Sequence, residues 1–218
     1  MQLVELKRDG NKENEKGIAE QQMTTPAPHT DRQRPLTCTL GGWLDRPYTR
    51  VLYDSDAEEF TNDGLFAAVV GKPDVAVVAV TTAGDVFGGA VRLPALRQDR
   101  RVFDAGVFLF SFEAHGRCAT PRQIHARPGE ADWLYACFRR ANNDGWFVEF
   151  YVSGYGGLAL GNEASETYCY RLSSGFADIS DTALSGGTMT EDVYSEGPEV
   201  YRHSMFFCAR LIVVQGCA

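Results

Sequence analysis

At 218 residues the chain suffices for one generous domain, or a smaller one with a tail, and its 44% hydrophobic and 11% aromatic content supplies a sizeable core. The formal charge of -8 falls entirely beyond Pro35, because the first 35 residues carry six basic and six acidic side chains. An acidic domain repels nucleic acid and anionic lipid at long range, so nucleic acid is not an expected partner.

Residues 1–35 have the composition of a flexible polar arm. Lys7 to Lys16 is almost wholly polar, and the region of Pro26, Pro28 and Pro35 is expected to sustain no helix. The folded domain is placed at residues 36–218. Trp43 and Tyr48 to Tyr53 form the first expected strand. Asp54 or Ser55 can cap a short helical turn, with Glu58 and Glu59 at its positive end. Thr61 then caps a helix in which Phe60, Leu65, Phe66, Val69 and Val70 recur at helical spacing, stopped by Gly71 and Pro73.

Val75 to Val80 and Val86 to Val91 are apolar runs around Thr81 to Asp85, with Gly84 available where φ must be positive. They form a β-hairpin, and runs apolar on both faces are central strands covered on both sides. Val107 to Phe112 gives a further strand, followed by Trp133 to Phe138, a turn at Asn142 to Gly145, and a strand from Trp146 to Val152. Ser153 to Gly157 is a loop, Leu158 to Leu160 a short strand and Thr167 to Leu172 another. Residues 173–199 form long surface loops, and Phe206 to Val214 closes the domain as one apolar strand. Eight to ten strands, one or two helices and no βαβ alternation define a mainly β (α+β) fold: two packed antiparallel sheets flanked by short helices.

The order VLYDSDAEEF, a helix, VAVVAVTTAGDVFGGAV and VFLFSF resembles the TLDc domain. That family typically shows an "LLY-S…-F" start, an apolar strand, a "G-VFGG/A" hairpin and a "FLFSL" strand. The matching residues are Leu52, Tyr53, Ser55, Phe60, Gly84, Val86, Phe87, Gly88, Gly89, Phe108, Leu109, Phe110 and Ser111. Gly156 to Leu160, with Ser165 and Tyr168, looks like the family's Gly-rich segment, and Ala209 to Val214 stands where the family ends in an apolar strand. The resemblance covers about residues 43–215; the family's "EVW/Y" ending is replaced by Leu-Ile-Val-Val, and the 185–204 loop matches no family segment. It implies a two-sheet sandwich acting as a protein-interaction module. Family members are linked to oxidative-stress protection and to the cytosolic sector of vacuolar proton pumps. The resemblance brings no cofactor and no established catalytic residues.

The residues assign no catalytic, cofactor or metal site. The histidines His29, His115, His125 and His203 lack HxxxH or HxH spacing, and Asp54, Asp56, Glu58 and Glu59 lack the central Gly and terminal Glu of a calcium loop. The six cysteines, Cys38, Cys118, Cys137, Cys169, Cys208 and Cys217, form no CxxC pair. With no apolar signal core in the first 25 residues, they are expected to be reduced, mostly buried thiols of a cytoplasmic protein. The longest apolar stretch, Met205 to Val214, is broken by Arg210 and too short to cross a bilayer.

Gly88-Gly89 inside a strand marks a bulge or close backbone approach. Arg97, Arg100 and Arg101 form the only basic knot, in the loop after the hairpin, and with Arg92 they can grip an acidic partner or phosphate. The leading function is thus a non-enzymatic interaction domain with a protein partner such as a proton-pump sector. The alternatives are a thiol-based redox or protective enzyme using Cys118, and a carbohydrate- or peptide-binding sandwich whose Trp133, Trp146 and Tyr155 line a groove.

Overall fold

A computed structural model describes residues 30–140, 146–153, 156–161, 167–184, 189–193 and 200–218. Helix α1 (Thr30–Trp43) leads to strand β1 (Tyr48–Asp54), helix α2 (Asn62–Val69), then β2 (Val75–Thr81), β3 (Val86–Val91), β4 (Arg101–Phe103), β5 (Phe108–Glu113) and β6 (Arg122–Ile124). A 3-10 turn, Ala131–Trp133, precedes β7 (Leu134–Phe138), β8 (Trp146–Val152), β9 (Gly156–Gly161) and β10 (Thr167–Tyr170). The short α3 (Leu172–Gly175) is followed by β11 (Met189–Val193), β12 (Val200–Phe206) and β13 (Cys208–Cys217). The strands form two antiparallel sheets, ordered β1-β13-β2-β3-β5-β6 and β11-β12-β10-β9-β8-β7-β4. The two-sheet fold expected from the sequence is present, with thirteen strands and three α-helices among the described residues.

Period-two burial explains the layers. In the first sheet Val75, Val77, Ala79, Phe87, Val91 and Leu109 face the second sheet and join its Ala136, Val148, Phe150 and Leu158 in the main core. The alternate residues Ala76, Val78, Ala90, Phe108 and Phe110 face the other way and pack with Leu40 and Leu44 in a smaller core. The hairpin strands are therefore covered on both faces, by the second sheet and by α1.

The sheets meet closely at Gly89, where a Cβ would stand 2.4 Å from the Phe150 ring; at Gly88 it would stand 1.9 Å from the Val77 carbonyl oxygen. Only glycine lets the backbone approach that far. At the hairpin turn Gly84 has φ +88°, as expected of its place there. Thr61 caps α2 by accepting from Gly64 N, and Gly71, at φ +70°, lies just beyond the helix end.

Four expectations are corrected. The Pro35 region does sustain a helix: α1 begins at Thr30 and carries Pro35 within it, and Leu40 and Leu44 are buried on the sheet with Trp43 beside them. Trp43 ends that helix instead of entering a strand, and its ring meets Phe108, Phe110 and Phe112 at centroid distances of 6.4, 6.0 and 5.1 Å. Part of the 173–199 stretch is core: Phe176 and Leu184 are fully buried, and Ala177 N donates to His125 O. Finally, the last apolar run is two strands in different sheets. The chain turns at the exposed Phe207, whose carbonyl accepts from Thr82 N, and β13 inserts between β1 and β2. The expected turn at Asn142 to Gly145 lies outside the described residues.

Candidate functional site

The family-motif residues are mainly architectural. Tyr53 is buried and donates to Glu59 O at 2.8 Å. Ser55 Oγ accepts from Leu211 N at 3.0 Å, tying β1 to β13, and Leu52 and Phe60 pack against the main core. Val86, Phe87, Gly88 and Gly89 lie in β3, where Phe87, Gly88 and Gly89 pair with Ser111, Phe110 and Leu109 of β5, Ala90 pairs with Phe108, and Val86 meets Glu113 across a register shift. The Ser111 hydroxyl is buried without a hydrogen-bond partner among the described residues. Asp54 does accept from Asp56 N, within a turn closed by Glu58 N on Asp54 O, but its carboxylate also holds Arg210 of β13.

Five arginines hold carboxylates inside the fold, Arg210 among them. Arg46 and Arg92 converge on the buried Asp74, at 2.5 and 3.3 Å. Arg92 also donates to the Leu44 carbonyl and reaches Asp45 Oδ2 at 2.5 Å, so it locks α1 to the hairpin and does not join the basic knot. Arg139 donates to both carboxylate oxygens of the buried Glu149, at 2.8 and 2.9 Å. Arg117 bonds the fully buried Asp85 and the Leu184 carbonyl, while His115 Nδ1 lies 2.7 Å from the same Asp85 oxygen.

Arg97, Arg100, Arg101 and Arg140 gather at one end of the second sheet. Arg97 and Arg100 are exposed in the loop before β4, and Arg101, expected in that loop, lies in β4 itself. Its guanidinium stacks over the Tyr135 ring at 4.7 Å, a cation–π contact. Arg97 and Arg100, with Arg140 just beyond β7, surround a cavity of about 560 Å³ whose apolar walls are Phe66 and Leu96. The loop is pinned at several points. Gln98 Nε2 donates to Asp63 Oδ1 of α2 at 3.0 Å, Asp99 N to Phe138 O at 2.8 Å, and Gly71 N to Ala95 O at 2.8 Å. Arg140 N donates to Asp99 Oδ1 at 3.0 Å, which sets the third arginine beside the first two.

At the other end of β4, Asp104 collects the backbone of the same loop, accepting from Arg92 N at 2.6 Å and Leu93 N at 2.9 Å, while its own N–H donates to Leu134 O. Exposed apolar side chains follow this edge: Leu93 (50%), Leu96 (70%), Phe103 (51%) and Trp133 (57%). β4 pairs with β7 on one side and is the last strand of its sheet. The sequence displayed the Arg97 to Arg101 part of this surface. It did not reveal Arg140, Phe66 or Leu96, because residues far apart in sequence are joined there by α2 and β7.

On the face of the second sheet away from the main core, Phe103, Tyr135 and Tyr151 stand opposite one another across β4, β7 and β8, with centroid spacings of 5.7 and 6.1 Å. Gly157 of β9 leaves the next place empty, and Tyr151 reaches Tyr170 at 6.4 Å. Burial holds the Tyr135 and Tyr151 hydroxyls above their ordinary pKa. Trp146 packs edge-on against Tyr168, so it does not share a groove with Trp133, and Tyr155 lies outside the described residues.

None of the six cysteines is in a disulfide; Cys137, Cys169 and Cys208 are buried, Cys118 and Cys217 half-buried, and Cys38 exposed. Burial pushes the Cys137 thiol up to about 11. Cys118 packs against the main core, His115 turns to Asp85, and the His125 ring lies 5.9 Å from Phe108, so the three are not gathered into one site. Among the described residues no group of three or more His, Cys, Asp or Glu side chains can hold a metal ion, and no helix is long and apolar enough to cross a membrane. No protein-family model matches the chain, and no curated protein matches it.

Proposed function

We propose that this chain is a non-enzymatic protein-interaction domain of the TLDc type, and that its partner docks along the β4 end of the second sheet. The observation that carries the reading is the band of exposed Leu93, Leu96, Phe103 and Trp133 beside the exposed Arg97 and Arg100. Apolar side chains in contiguous exposure mark protein contact surfaces, and aromatic residues and arginine are the types enriched there. The resemblance across residues 51–112 adds the partner class, the cytosolic sector of a vacuolar proton pump, and a cytoplasmic role in oxidative-stress protection.

The test is affinity enrichment from a native lysate with the full chain and with a Phe103→Ser/Trp133→Ser variant. Proton-pump subunits recovered by the first and lost by the second are the expected result. Equal recovery by both moves the interface off this surface, and recovery of chaperones alone removes the interaction reading.

A further inference from the structure

We infer that the groove between Arg97, Arg100 and Arg140 receives a short acidic segment of a partner protein, with an apolar side chain seated between its carboxylates. The inference rests on the interaction reading above and specifies the chemistry of what docks.

Charge is the first argument. Three guanidinium groups surround this cavity with one carboxylate, Asp99, in a chain of net charge -8. Arg46, Arg92, Arg117, Arg139 and Arg210 each hold an internal carboxylate. Arg97 and Arg100 have no ion-pair or hydrogen-bond partner among the described residues. Arg140 reaches Asp99 only at 3.9 Å, with 71% of its side chain exposed. Arg97 and Arg100 are free to be neutralised from outside, and among the described residues Arg140 is held only by this long contact. Their planar forks suit carboxylates, which they bind through two parallel hydrogen bonds.

Shape is the second argument. Leu96, at 70% exposure, and Phe66 give the groove an apolar wall, which a bare anion would leave wet. A segment carrying both carboxylates and a large apolar side chain uses the whole surface. The loop is also fixed in advance, by Gln98 on Asp63, Asp99 on Phe138 and Ala95 on Gly71, so little ordering is needed on docking. A long polyanion brings the opposite balance, because the field of the remaining acidic domain opposes it.

The experiment is fluorescence anisotropy with the full chain and a short labelled peptide of glutamates with leucines between them. Saturable binding that weakens with salt is expected. It should fall about tenfold or more in an Arg97→Glu/Arg100→Glu/Arg140→Glu variant, and several-fold in Leu96→Ser. A peptide with glutamine for every glutamate should not bind. All four positions are exposed, and melting curves verify that the variants fold; Arg100→Ala alone serves if the triple variant does not. The inference is overturned by absent binding, by binding that the charge reversal leaves unchanged, or by equal binding of the glutamine peptide. Tighter binding of a single-stranded RNA of equal charge, or displacement by inorganic phosphate, also overturns it in favour of a general anion site. Peptide binding with no partner captured from lysate would retain the groove and remove the interaction reading. A partner captured equally well by the charge-reversed chain would do the reverse.

Discussion

The two sheets differ in what their outer faces meet. The first is closed on both sides, by the second sheet within and by α1 without, and two arginines fasten that cover: Arg46 and Arg92 grip Asp74 where α1 ends. The second sheet turns a row of aromatic rings outward and ends at a three-residue strand flanked by exposed Leu96, Phe103 and Trp133 and by Arg97 and Arg100, which hold no carboxylate among the described residues. One region is built to hold itself together, and the other keeps its binding groups unspent. Stability and recognition are therefore separable, and substitutions should sort by sheet.

The largest effect is expected at the contact between the layers. Gly89→Ala drives a methyl into the Phe150 ring and should lower unfolding free energy by about 3 kcal/mol or more, measured by urea denaturation; a change below about 1 kcal/mol would mean the sheets are not packed this closely. Asp74→Ala leaves Arg46 and Arg92 without their shared partner and releases α1. A loss of about 2–3 kcal/mol is expected, with proteolysis near α1 accelerated.

The outward side of the second sheet enters through pH. The Cys137 thiol titrates near 11 in the folded protein and at an ordinary 9.0 when unfolded, so its contribution is complete below pH 9 and is lost as pH rises towards 11. About 2 kcal/mol of stability should disappear over that interval, and Cys137→Ala should flatten the slope of stability against pH there. Tyr135 and Tyr151, raised by burial, add the same sign above their ordinary 10.0. Ser111→Ala removes a buried hydroxyl that finds no partner and should gain about 1 kcal/mol, read as a higher melting temperature. Leu96→Ser should change stability by no more than about 0.5 kcal/mol, since its side chain is 70% exposed. Large losses there would end the division between the sheets.

The first sheet was legible where local chemistry and tertiary structure agree. Val75 to Val91 carries its own strands, turn glycine and two-sided apolar pattern, and Thr61 and Gly71 bracket α2 as their chemistry requires. α1 was hidden because Pro35 and Gly41-Gly42 argue against a helix, and only burial of Leu40 and Leu44 on a distant sheet reverses that. Phe176 and Leu184 were hidden among polar neighbours for the same reason. The exchange of sheets at Phe207 has no signature in an unbroken apolar run. In the candidate site, Arg92 and Arg97 are the same residue type five positions apart. Asp74 and Asp45, remote in sequence, decide that one is structural and the other free.

The placement of β13 dictates the timing of assembly. It follows every other described strand in sequence yet occupies the gap between β1 and β2. While the chain is being made, β1 has no neighbour in its sheet until residues 208–217 leave the ribosome. Asp54 and Ser55 likewise wait for Arg210 and Leu211. The hairpin β2–β3 can form early from local contacts, but the first sheet closes only through the most sequence-distant pairing in the domain, which makes its completion late and comparatively slow.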